Sequence, residues 1–155
     1  MDDNYWMREA LKMARIAYEN NEIPVGAVVV MDNRIIGRGF NQVEELQDPT
    51  AHSEIIAITS ACRTIGNWRL NGTAIYVILE PCPMCAGAIL NSRIAKCVFG
   101  TKDTKLGALG SVYDIRDTKI EIVSGILESE CKSIIDEFFK IIRDENRKEK
   151  DEEKK

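Results

Sequence analysis

The feature that most constrains this chain is an alternation of amphipathic helical spacing with short β-rich apolar runs. A layered α/β arrangement buries both kinds of segment at once. Trp6, Met7, Ala10, Leu11, Ala14, Ala17 and Tyr18 recur at helical spacing, and Asn20, Asn21 and Pro24 end that helix. Residues 25–31 and 34–40 read as two strands around a tight Asp32-Asn33 turn, which predicts a hairpin. A polar loop follows over residues 41–50. Residues 51–65 read as a helix with Thr50 or Asp48 as N-cap and Gly66 closing it. Residues 73–79 read as a buried strand, 83–91 as a short helix and 96–100 as another strand. A loop punctuated by Gly107 and Gly110 leads to a last strand over 120–123 and a last amphipathic helix over 128–143. The order α-β-β-α-β-α-β-loop-β-α predicts one α/β domain with a mixed sheet over residues 1–143. Residues 144–155, almost all charged, read as a solvated C-terminal tail or the frayed end of that helix.

The length of 155 residues suits one domain, and 45% hydrophobic with 30% charged residues is a globular balance. The net charge of −4 argues against a surface uniformly basic for nucleic acid but leaves room for a local patch. From Arg93 to Lys105 there are four basic residues and one acid, a candidate for such a patch. The apolar run over 25–31 is far short of the ~20 residues that span a bilayer, so no membrane role is expected. Asp2 and Asp3 stand where a secretory signal would be positive. Five cysteines, an odd number, suit a reducing cytoplasm.

The chemistry lies in three separated elements. His52 is the only histidine, Glu54 follows two residues later, and Cys82 and Cys85 sit in Pro81-Cys82-Pro83-Met84-Cys85 between a strand and a helix. One imidazole and two thiolates make three ligands for one zinc per chain, with a fourth position open for catalysis. Water in that position has its pKa lowered from about 15.7 towards ~7. Glu54 is the candidate to move the proton. On an ideal helix residues two apart point ~200° apart, so convergence of His52 and Glu54 needs the special geometry of a first turn. Two readings of a different class remain. One is a thiol redox pair. The other is a structural zinc site closed by Cys62, Cys97 or Cys131. Cys62, on the same predicted helix as His52, lies about 15 Å further along it. Cys97 reads as core filling and Cys131 lies on the last helix.

The pattern H-x-E…P-C-x-x-C is the signature of zinc nucleobase deaminases. Over about residues 4–143 the chain resembles the cytidine deaminase superfamily, and within it the bacterial tRNA-specific adenosine deaminases. The resemblance rests on Ile23-Pro24-Val25-Gly26-Ala27, on Asp48-Pro49-Thr50-Ala51-His52-Ser53-Glu54 and on Asn67-Trp68-Arg69-Leu70. It continues through Leu79-Glu80-Pro81-Cys82, Met84-Cys85-Ala86-Gly87-Ala88, Ser92-Arg93-Ile94, Val98-Phe99-Gly100, Gly107-Ala108-Leu109-Gly110-Ser111 and Glu137-Phe138-Phe139. It departs at Ser53, where alanine is common, and at Gln47, where many relatives carry a basic residue or histidine.

This resemblance implies a three-layer α/β/α fold with a five-stranded mixed sheet and a homodimer. It implies hydrolytic conversion of the wobble adenosine (position 34) to inosine in a tRNA anticodon stem-loop, chiefly that of arginine tRNA. A small-molecule deaminase of guanine, cytosine or a nucleotide is the alternative within the superfamily. By position, Asn41 would hydrogen-bond the flipped base and Ala51 would help line its pocket. Asp103 would contact a ribose 2′-hydroxyl. Phe138, Phe139 and Arg143 resemble the C-terminal elements that grip the anticodon loop, and Lys102 and Lys105, from the basic run, are the candidates to contact its phosphates.

Overall fold

A computed structural model of the chain describes residues 1–154. Helix α1 (Asp3–Glu19) starts at Asp2, whose carboxylate accepts from Tyr5 N at 2.9 Å. Strands β1 (Gly26–Met31) and β2 (Arg34–Phe40) form the expected hairpin. Asp32 and Asn33 both take positive φ, 49° and 62°, as a turn matching the strand twist requires. A four-residue helix α2 (Val43–Leu46) follows, then α3 (Ser53–Ile65), β3 (Ala74–Leu79), α4 (Pro83–Asn91), β4 (Lys96–Thr101), β5 (Glu121–Ser124) and α5 (Glu128–Glu153).

The sheet order is β2-β1-β3-β4-β5. β1 pairs antiparallel with both β2 and β3, while β3, β4 and β5 run parallel, which gives the mixed sheet expected from the sequence. Helices α1 and α5 cover one face and α3 and α4 the other. Glycines set these close approaches. A Cβ on Gly26 would overlap the Ala10 carbonyl oxygen of α1, and one on Gly39 would overlap the Ser53 carbonyl oxygen of α3. Between the layers lie Met7, Val28, Val29, Leu70, Ile75, Val77, Ile78, Ile89 and Val98, all fully buried.

This topology gives the sheet two ends of different character. The C-terminal ends of β2, β3 and β4, the N-termini of α3 and α4 and the C-terminus of α1 gather at one end. The Asp32-Asn33 turn and the starts of β3 and β4 lie at the other, where Tyr76 Oη donates to Asp3 Oδ1 at 2.7 Å and Lys96 pairs with Asp3 at 3.0 Å. α5 does not return down the sheet. Its Cys131 packs against Gly100, and its Phe138 meets Tyr18 edge-on with ring centroids 5.8 Å apart.

Four expectations are corrected. The loop over 41–50 contains α2, because the buried Glu22 carboxylate accepts from Glu44 N at 3.0 Å and Glu45 N at 2.8 Å and so satisfies its first turn. α3 begins at Ser53 with His52 as N-cap, not Thr50 or Asp48. The Asp48 carboxylate is spent on Thr50 N and Oγ1, at 2.8 and 2.7 Å, closing a turn before the helix. The last strand is displaced by one residue from the expected 120–123. Helix α5 continues beyond Arg143 to Glu153, through Glu, Lys and Arg residues that favour helix.

Candidate metal centre

His52 and Glu54 converge through the start of α3. His52 is in extended backbone, φ −75° and ψ 151°, while Glu54 lies in the first turn, so the ~200° separation of an ideal helix does not apply. Pro83 opens α4 at a position where no amide donor is needed, with Cys82 as N-cap and Cys85 in its first turn. Two helix N-termini therefore face one point, and their positive ends favour the thiolate form.

His52 Nδ1 stands 3.6 Å from Cys82 Sγ and 3.5 Å from Cys85 Sγ. All three ligand atoms lie within 4.8 Å of one another. For tetrahedral zinc with N and S ligands at their usual bond lengths, the N···S separation is about 3.6 Å. These donors fit zinc in both chemistry and spacing. The Cys82 thiol is pulled down to about 4 by the hydrogen bond from Cys85 and by His52, against the effect of burial. Cys85 is pushed up by that same bond and by burial, and His52 is raised by its contact with Cys82. Two sulfurs and a nitrogen thus share protons at distances where a divalent cation would replace them.

Glu54 is 4% exposed, and its burial raises the carboxyl above its ordinary value. Ser53 Oγ donates to Glu54 Oε1 at 2.7 Å, so the residue that departs from the common alanine contacts the candidate proton carrier. The remaining cysteines do not close the site. Cys97 is fully buried in β4, Cys131 is buried against Gly100, and Cys62 lies near the C-terminal end of α3, close to the Trp68 carbonyl.

Asn41 is buried at the end of β2, its Nδ2 3.4 Å from the Ile23 carbonyl and its Oδ1 3.3 Å from Val43 N. Ala51 is buried, and its carbonyl accepts from Gln42 N at 3.0 Å, tying the Asn41 loop to the approach of α3. Asp103 Oδ1 accepts from Lys105 N and Leu106 N at 2.9 and 3.2 Å, forming a turn after β4. Lys102 and Lys105 are exposed on that turn, with no carboxylate within 4 Å among the described residues. Phe138 is buried at 8% exposure, whereas Phe139, at 39%, and Arg143 face solvent.

The basic run from Arg93 to Lys105 is not one patch. The six residues of β4 pass through it, so about 20 Å separates its two parts. Lys96 is neutralised by Asp3 at the far end, and Arg93 lies with Arg69 over the Trp68 ring, at 5.8 and 4.3 Å. Only Lys102 and Lys105 lie at the metal end. Sequence reasoning also passed over two buried acids, Glu22 and Glu80, which hold loops around the site. Their signal is an isolated acid beside apolar residues and proline, Ile78-Leu79-Glu80-Pro81 being one case.

Residues 1–101 match the family described as the cytidine and deoxycytidylate deaminase zinc-binding region. The tRNA-specific adenosine deaminase of Bacillus subtilis (strain 168) is 44% identical over 146 residues, covering 91% of each chain. A solved structure from studies of A-to-I editing by tRNA:A34 deaminases superposes with a TM-score of 0.78 at 42% identity, over 84% of this chain and 98% of that one. The guanine deaminase of Bacillus subtilis aligns with a TM-score of 0.64 at 35% identity, over 74% and 72% of the two chains. With its His52, Cys82 and Cys85 donors at zinc-binding separations and a tRNA-specific adenosine deaminase relative matched over 91% of its length, the chain belongs to the tRNA-specific adenosine deaminases of the zinc-binding cytidine deaminase family.

Proposed function

We propose that this protein hydrolytically deaminates the wobble adenosine of a tRNA anticodon loop to inosine. The observation that carries the reading is the His52, Cys82 and Cys85 donor set with a buried Glu54 beside it, in a chain that matches tRNA:A34 deaminases over its length. His52 Nδ1, Cys82 Sγ and Cys85 Sγ would hold the zinc. When bound, zinc in such a site acidifies water so that hydroxide is available at neutral pH. Glu54 takes the proton that water loses as its oxygen bonds to C6. It gives that proton to the ring nitrogen, then takes the proton of the new C6 hydroxyl and passes it to the departing amine, so the C6–N6 bond breaks, C6 becomes a carbonyl and ammonia leaves. Ser53 steadies Glu54 Oε1 during this exchange.

The base must leave its stack to reach C6. Asn41 is buried with long hydrogen bonds on both polar atoms, which supports a role in which it exchanges them for contacts to the base edge. Ala51 lines the pocket without competing for the base's polar edge. Lys102 and Lys105 supply phosphate contacts, and Asp103 a contact to a ribose hydroxyl. Phe138 seats α5 on Tyr18, leaving Phe139 for stacking and Arg143 for backbone charge. The partner is the anticodon stem-loop, with arginine tRNA the species the family implies. A homodimer would cover the exposed Met84 and half-buried Ile55, Ile58 and Leu90 on the α3–α4 face. The compartment is the cytoplasm, where the thiol ligands stay reduced.

The test is incubation of the zinc-loaded protein with an anticodon stem-loop carrying adenosine at the wobble position, beside free adenosine, cytidine and guanine. Inosine at that position, formed far faster than any free base or nucleoside turns over, is the expected result. Equal turnover of free guanine would favour the reading carried by the guanine deaminase likeness. Replacing Lys102 and Lys105 with Ala should reduce the salt slope of RNA binding by about one for each phosphate no longer neutralised.

A further inference from the structure

Glu80 takes no part in the chemistry above, yet it is 2% exposed and its carboxylate gathers four donors from a single loop. Oε1 accepts from Asp103 N at 3.3 Å and from Ser111 Oγ. Oε2 accepts from Leu109 N at 3.0 Å and Ser111 N at 3.2 Å. The carboxylate therefore closes the loop from residue 103 to residue 111 upon itself. The backbone of the same strand end continues the attachment, with Glu80 N donating to Thr101 O and Pro81 O accepting from Ala108 N, both at 2.9 Å.

The loop is shaped around this group. A Cβ on Gly107 would stand 2.5 Å from Glu80 Cδ, from Oε2 and from the Asp103 carbonyl oxygen, so only glycine fits there. Gly107 N bonds that carbonyl at 3.0 Å, and Asp103 Oδ1 in turn fixes Lys105 N and Leu106 N. Two residues before Cys82, one side chain thus determines where Lys102, Asp103 and Lys105 stand relative to the metal donors. All four partners of Glu80 are donors, which an acceptor-only group satisfies and an amide of the same shape does not.

We infer that Glu80 is a positioning residue for substrate recognition, pinning the 103–111 loop and its RNA-contacting residues to the turn that holds Cys82. The inference rests on the RNA reading above, and its test separates the two. Glu80→Gln preserves volume but sets an NH₂ against backbone N–H groups. Ser111→Ala removes one donor and is the milder variant should the first fail to fold.

Both are measured as zinc-loaded full chains alongside Lys102→Ala/Lys105→Ala and its combination with Glu80→Gln. Backbone hydrogen exchange is expected to accelerate at residues 103, 109 and 111, with zinc still at one per chain. The KM for the hairpin should rise about tenfold in Glu80→Gln, the scale of a misplaced buried hydrogen bond, with kcat within about threefold. In the lysine-free background Glu80→Gln should add well under its about tenfold effect in the parent, because of the pinned residues only Asp103 is left. Unchanged exchange at those amides would overturn the inference, as would a full multiplicative effect in the lysine-free background or a loss confined to kcat with zinc released. A parent that leaves the hairpin untouched would overturn the RNA reading instead, while the exchange result would still decide whether Glu80 pins the loop.

Discussion

Gly39→Ala tests how the edge strand sets the metal centre. The added Cβ would overlap the Ser53 carbonyl oxygen and stand 2.6 Å from Ala57 N, where ordinary contact begins at 3.4 Å. Ordinary contact with the nearer Ser53 oxygen requires β2 and the first turn of α3 to part by roughly 1.2 Å, an overpacking strain of about 1–3 kcal/mol. Replacing glycine within a strand returns about 0.5–1 kcal/mol. The net loss of about 0–2.5 kcal/mol corresponds to a Tm lower by up to about 10 °C for a chain of this size. Ser53 stands between His52 and Glu54, so both move with it. A misplacement near 1 Å costs on the order of 10²-fold in rate. The assay pairs calorimetry of the zinc-loaded protein with chelator competition for zinc and kcat on the hairpin. Gly66→Ala is the control. It has φ +69° at the far end of α3 and open space around it, so it costs about 1 kcal/mol through backbone conformation alone. If Gly39→Ala lowers Tm but leaves zinc affinity and kcat where Gly66→Ala leaves them, the strand does not set the site and the argument is refuted.

Replacing both Cys82 and Cys85 with Ser should abolish stoichiometric zinc, read by elemental analysis after gel filtration; full occupancy would remove them as ligands. Glu54→Ala should retain zinc and fold while activity falls by about 10²–10⁴-fold, since its carboxylate moves protons rather than binding metal. Activity within a few-fold of the parent would take Glu54 out of the mechanism. At the far end of the sheet, burial raises the Asp3 carboxyl, but hydrogen bonds from Tyr76 and Lys96 outweigh it and leave the group below its ordinary 3.8. That stabilisation is present above pH 3.8 and is lost as pH falls through the lower folded value. Tyr76→Phe should therefore flatten the acid limb of a stability-against-pH curve below about pH 4, with an unchanged limb counting against the triad.

The strands and most helices were legible because each announces itself locally, through apolar runs in β1 and β3 or the helical spacing from Trp6 to Tyr18. The candidate zinc ligands were legible as residue types, the only histidine and a C-x-x-C pair, although their meeting across thirty residues was not local. Features assembled by distant partners were not legible. Helix α2 depends on Glu22, two elements away, and its own Val-Glu-Glu-Leu carries no strong signal. The convergence of His52 and Glu54 depends on where α3 starts, which the Asp48 turn decides. The basic run from Arg93 to Lys105 looked continuous because charge was counted along the chain, whereas β4 carries its members to opposite ends of the sheet.

The oblique course of α5 also makes the two chain ends unequal as attachment points. Met1 lies beside the hairpin turn, its ammonium 3.3 Å from Asn33 Oδ1. A fluorophore or affinity handle there would sit a full strand length away from the metal donors. Past Phe138, α5 leaves the body beside the C-terminus of α1, and from Arg143 to Lys154 every side chain is exposed. On the proposed reading, in which Phe139 and Arg143 grip the anticodon loop, a bulky fusion on that side would share space with the RNA hairpin. For surface immobilisation or crowding-sensitive assays, the amino terminus is the end to tether.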